Sequence, residues 1–171
     1  SQLVRSPGVY FSAEMDNGIL VHHAQFIPAR GAWLEFEIDK RGHLVVSIDR
    51  KRRMSATIFL RALGIAVTDD EILSLLGDSD VVRNTIERDT ATTKEDALLE
   101  VFRRQRPGEP PTVDSARTLI NNLYFHHQRY DLARVGRYKI NKKLGLEIAA
   151  DQRILTDEDI VAALQFLLAV H

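Results

Sequence analysis

Hydrophobic and polar positions change their period near residue 55 of this 171-residue chain. Before that point the apolar residues fall in short β-branched or aromatic runs at 9–13, 21–27, 33–38 and 44–48. Asp16-Asn17-Gly18, the stretch from Pro28 to Gly31, and Lys40-Arg41-Gly42 separate the runs and carry turn chemistry. In the third run Trp33, Glu35 and Glu37 alternate with Leu34, Phe36 and Ile38, the pattern of a strand with one wet face. The last two runs are expected to form a hairpin.

After residue 55 the spacing becomes helical. Ile58, Leu60, Leu63 and Ile65 suit a short helix stopped by Gly64. Thr68 with Glu71 reads as a capping box opening a second helix that Gly77 ends, and Ser79 or Asp80 can cap a third. Thr92 with Glu95 reads as another capping box. The prolines of Arg106-Pro-Gly-Glu-Pro-Pro111 must stop that helix, because proline lacks the donor and bars the preceding residue from helix. Thr112 or Asp114 starts the next, Arg129-Tyr130 is expected to open another, and Thr156 begins the last. Strands followed by about seven helices predict an α+β fold, a small antiparallel sheet packed with helices. One domain over 1–171 is expected, mainly strands in 1–54 and mainly helices in 55–171.

Charge changes this picture more than composition does. The formal net charge is −1, from 23 Lys and Arg against 24 Asp and Glu. Resolved by segment, residues 40–61 hold seven basic and one acidic side chain, and 103–143 hold ten and three. The stretch 62–100 between them holds three basic and ten acidic. Fields follow where charges lie, so two faces of opposite sign are expected. With no cysteine there is no thiolate metal site, disulfide or Cys nucleophile. No apolar run approaches the roughly 18 residues that span a bilayer. The N-terminus lacks the order of a signal peptide. A soluble, cytoplasmic protein with no membrane partner is expected. The start at Ser1 and the uncapped apolar pattern at His171 suggest a piece of something longer.

Candidate chemistry is sparse. His22-His23 and His126-His127 are adjacent pairs whose side chains diverge on a strand or a helix, so neither makes a two-ligand metal edge alone. A metal-dependent hydrolase using both pairs is an alternative that bound metal would reveal. There is no nucleophile elbow, phosphate-cradling glycine loop or dinucleotide fingerprint. No catalytic residue and no metal ligand is assigned. The acidic clusters at 69–71 and 157–159 sit at helix starts, where they complement the macrodipole. Arg50-Lys51-Arg52-Arg53 joins a strand to a helix and can hold phosphates or form a solvated turn. Arg134 and Arg137 lie three apart on one expected helix. Trp33, the only tryptophan, follows Arg30-Gly31. It can be a half-buried core residue, or an indole on a sheet rim that stacks an unpaired base.

Six words occur in one order: RSPGVYF (5–11), RGAWLEFEID (30–39), IDRKRR (48–53), RALG (61–64), RPGEPPT (106–112) and RYDLARVGRYKINKKLGL (129–146). Together they closely resemble the lobe domain of the β subunit of bacterial DNA-directed RNA polymerase, over nearly the whole chain. The short spacing from RALG to RPGEPP leaves no room for the large insertion some members carry. The resemblance implies a module of a nucleotidyltransferase that forms one wall of the cleft facing downstream DNA and carries no catalytic residue itself. It implies that magnesium is bound by another subunit. The implied partners are DNA (non-template strand and downstream duplex), the rest of β, and the β′, α and σ subunits. Transcription factors are possible partners, and the setting is the nucleoid. By resemblance Trp33 stacks on a non-template base, and Arg5 helps line a pocket for the next, unpaired guanine. Arg106 and Arg129 then lie near single-stranded DNA. Arg50, Arg52, Arg53, Arg134 and Arg137 receive a general DNA-binding role. The competing expectation is a free-standing single-strand-binding or regulatory domain.

Overall fold

A computed structural model describes residues 5–171. Five antiparallel strands form a meander in chain order: β1 (Gly8–Asp16), β2 (Ile19–Ile27), β3 (Leu34–Ile38), β4 (Leu44–Ile48) and β5 (Met54–Ser55). The turn between β1 and β2 is Asn17-Gly18, with φ of 50° and 80°, the left-handed pair that a type I′ hairpin demands. β3 and β4 form the expected hairpin, with Phe36 opposite Val46. β5 is absent from the sequence reading because it has two residues and follows a charged run.

The register sorts the sheet into two faces. Ala24, Phe26, Leu34, Phe36, Ile38, Leu44, Val46 and Ile48 are buried on the inner one. Tyr10, Gln25, Glu35 and Ser47 form one cross-strand row on the outer face. Trp33 precedes β3 with the same parity as Glu35 and is only half-buried.

Among the described residues seven helices follow: α1 (Ala56–Leu63), α2 (Asp69–Leu76), α3 (Asp80–Glu87), α4 (Lys94–Gln105), α5 (Val113–Tyr124), α6 (Ala133–Leu144) and α7 (Asp157–Val170). The architecture is α+β, as expected. The inner face of the sheet packs against α1 and α7, and α6 covers β1. Thr68 and Thr156 both make full capping boxes, with Glu71 and Asp159. Ser79 and Thr112 cap α3 and α5. The cap of α4 is Thr93, accepting from the Asp96 amide, not Thr92. Both threonines have an acid three residues on; the frame that turns Ala97, Leu98 and Val101 into the core decides between them. Arg129-Tyr130 does not open α6, which starts at Ala133. Among the described residues no helix is long and apolar enough to cross a membrane.

Two buried ion pairs tie the helices together. Arg61 on α1 reaches Asp89 at 3.0 Å and Asp69 at 2.8 Å. Burial pushes the Asp89 carboxyl up in pKa, against the lowering pull of Ser55, Thr57 and Arg61. Arg137 on α6 grips both carboxylate oxygens of Asp159 at 2.8 Å, with both side chains 0% exposed. It also donates to the carbonyls of Gln152 and Ile154. This corrects the DNA-binding role expected for Arg137. A guanidinium with no exposed surface and its donors spent on Asp159, Gln152, Ile154 and Asn141 cannot meet a phosphate. Arg134, one turn away, is exposed.

Candidate nucleic-acid interface

The loop from β2 to β3 carries Arg30, Gly31 and Trp33, and it docks on a segment a hundred residues away. The Ala29 and Arg30 amides donate to the Asp131 carbonyl at 2.8 and 3.2 Å, and the Asp131 amide returns a bond to Arg30 at 2.9 Å. This bridge joins the RGAW word to the RYDL word. Gly31 makes the approach possible, since its φ is +118° and a Cβ there would lie 2.8 Å from the Arg129 carbonyl oxygen.

Behind the bridge, Asp131 pairs with Arg153 through two bonds of 2.8 and 2.7 Å. Hydrogen bonds from Arg153, then from the Ala133 amide, hold its carboxyl below the usual aspartate range. A carboxyl with a depressed folded-state pKa contributes stability that is complete above its unfolded pKa, near 3.9. That contribution is lost as pH falls through the lower folded value. Asp131→Asn should therefore be less stable than the parent at neutral pH. The gap in melting temperature should close as the medium is acidified below about pH 4. A gap that stays constant through the acid limb would remove Asp131 as its source.

Trp33 itself is fixed through its backbone. Its carbonyl accepts from the Asp49 amide at 3.0 Å and from the buried Tyr124 hydroxyl at 2.8 Å. Tyr124 lies at the end of α5 and also accepts from the Asp49 amide at 3.3 Å. Burial pushes its phenol well up, so it stays a neutral donor. The indole carries the Arg50 guanidinium at 3.8 Å from its ring centroid.

Two depressions flank this point. A cleft of about 900 Å³ is lined by Gly31, Ala32, Asp49, Arg106 and Arg129, with the start of α5 opposite. The second, lined by Glu35, Ser47 and Arg50 to Arg53, runs over the outer face of the sheet. Arg5 joins the same face, since its guanidinium donates to Gln25 at 3.0 Å, and Gln25 donates on to Glu35 at 3.0 Å. Arg5, Trp33, Arg50, Arg106 and Arg129 thus follow one rim. Arg52 and Arg53 lie in the second depression, but Arg53 is paired with Glu37, while Lys51 reaches the Gln105 carbonyl at the end of α4. Arg134 lines neither depression, and Arg137 lies in the core.

Asp49, Tyr124 and Gln25 hold the rim in shape, and the sequence reading did not single them out. Only Asp49, in a turn position before a basic run, gave a local signal. Among the described residues no group of three or more His, Asp or Glu stands together in a way that could hold a metal ion. His126 stacks on His127, and His22 lies edge-on to His171. What the rim offers is an aromatic plane beside exposed guanidiniums, the combination that retains unpaired bases and phosphates.

Residues 5–171 match the family RNA polymerase Rpb2, domain 2. A DNA-directed RNA polymerase subunit beta from Nocardioides sp. is 52% identical over 173 aligned residues. The alignment covers 100% of this chain and 15% of that relative.

Proposed function

Since the chain belongs to the RNA polymerase Rpb2, domain 2 family, we propose that it serves as the lobe of a DNA-directed RNA polymerase β subunit. In this reading it forms one wall of the DNA cleft and steadies unpaired non-template DNA, with downstream duplex beyond. The observation that carries the proposal is the Trp33 indole under the Arg50 guanidinium, with exposed Arg106 and Arg129 lining the cleft beside Gly31 and Ala32 and exposed Arg5 on the outer face of the sheet. A strand held open needs stacking that tolerates any base, together with positive charge along its backbone. Trp33 supplies the first and the exposed arginines the second.

Catalysis of nucleotide addition then belongs to the assembled enzyme, with magnesium held by another subunit. The remaining β chain, β′, α and σ are its partners in the nucleoid, and transcription factors can use the acidic helices. Trp33→Ala in the whole polymerase tests the reading. Loss of one stacked base removes about 1–3 kcal/mol, so promoter complexes should dissociate at least about fivefold faster. Nucleotide addition on a preformed scaffold should be nearly unchanged. Equal complex lifetimes for the variant and the parent would sink the proposal.

A further inference from the structure

Trp33 does not present a bare face, because the Arg50 guanidinium lies over it at stacking distance, 3.8 Å from the ring centroid. The backbone holding Arg50 there is unusual. Residues 48–51 form a turn closed by a 3.0 Å bond from the Lys51 amide to the Ile48 carbonyl. Its two central residues, Asp49 and Arg50, have φ of 54° and 60°. That is the type I′ pattern, in which glycine or asparagine sits easily and a long side chain at the second position is strained. Strain of this kind persists where neighbours over-determine it. Here the neighbours are the Trp33 carbonyl and the Tyr124 hydroxyl, which together hold the Asp49 amide. The same clamp therefore fixes the backbone that carries the indole and the turn that covers it. Arg53 has Glu37 as a counter-ion, whereas Arg50 makes no ion pair among the described residues.

We infer that Arg50 is a displaceable cover for the stacking face of Trp33. A base of single-stranded DNA takes its place over the indole, and the guanidinium turns to the adjoining phosphate. The inference rests on the stacking role proposed above and adds how that face is kept and released. An exposed cation–π contact is weaker than base–aromatic stacking, so the base wins the ring. The displaced charge exchanges an aromatic face for a phosphate beside the open groove of Arg52.

Trp33 is the only tryptophan, so tryptophan emission reports on the surroundings of this one indole. The 171-residue chain would be compared with Arg50→Gly, which suits a positive φ and keeps the turn, and with Arg50→Lys, which keeps the charge. The probe is a short oligothymidylate. Without DNA, acrylamide should quench Trp33 more strongly in both variants than in the parent. On binding the oligonucleotide, the slope of log affinity against log salt should be shallower by about 0.7 in Arg50→Gly, the value for one single-strand phosphate. It should be unchanged in Arg50→Lys. Equal acrylamide quenching in the three free chains, or equal salt slopes for Arg50→Gly and the parent, would overturn the cover. DNA that leaves Trp33 emission untouched in every chain would instead overturn the stacking role itself.

Discussion

Arg137→Ala should destabilise the chain by about 3–5 kcal/mol, the cost of leaving one partner of a buried ion pair without the other. At a few degrees per kcal/mol for a chain of this size, the melting temperature should fall by roughly 6–20 °C. The reason is the carboxylate left behind. Asp159 is 0% exposed, and its two oxygens each receive a 2.8 Å bond from the guanidinium. Its remaining partners are the amide and hydroxyl of Thr156, which bind the second of those oxygens. Arg137→Lys should recover little, because one ammonium cannot reach both oxygens and the carbonyls of Gln152 and Ile154. Arg134→Ala, on the exposed side of α6, should stay within about 0.5 kcal/mol of the parent. Urea unfolding of the three variants is the measurement. If Arg137→Ala unfolds at the parental midpoint while DNA affinity drops, Arg137 is a DNA ligand after all and the buried pair is not the stabilising feature described.

That contrast also marks how far the sequence could be read. Arg134 and Arg137 look alike in a basic helix, and no local pattern tells them apart. The difference lies in Asp159, 22 residues further on, which reads locally as one of an acidic cluster at a helix start and in the fold also closes the capping box of Thr156. Features closed within four residues were legible: Asn17-Gly18, the box at Thr68, the helix start at Thr156, and the glycine stop at Gly64. Thr93 was missed in favour of Thr92 because caps are chosen by which helix face reaches the core, a tertiary matter. For the rim, the words containing Arg5, Trp33, Arg106 and Arg129 were visible, but their assembly was not. It depends on the bridge from Arg30 to Asp131 and on the Tyr124 hydroxyl beneath Trp33, contacts 101 and 91 residues apart in sequence.

The bridge gives the other large effect. Gly31→Ala should disturb stability and the rim together, because the glycine is required twice over. Its φ of +118° lies outside the left-handed basin that other residues enter, which alone costs about 1–3 kcal/mol. A Cβ would also stand 2.8 Å from the Arg129 carbonyl oxygen and 3.2 Å from the Tyr130 Cα. Both atoms are backbone and cannot swing aside, so the two segments must separate. Separation breaks the bonds between 29–30 and 131, and with them the seat of Trp33 two residues on. Gly18→Ala is the control. Its φ is +80°, but nothing lies within 4 Å of the added carbon, so it bears the conformational cost without the clash. Gly31→Ala should therefore melt below Gly18→Ala, change Trp33 emission in the free chain and weaken quenching by single-stranded DNA. Gly18→Ala should leave the emission as in the parent. Should the two variants melt alike with parental emission, the docking of the RGAW loop on 129–131 would not be what positions Trp33, and the rim would owe its shape to Tyr124 and Asp49 alone.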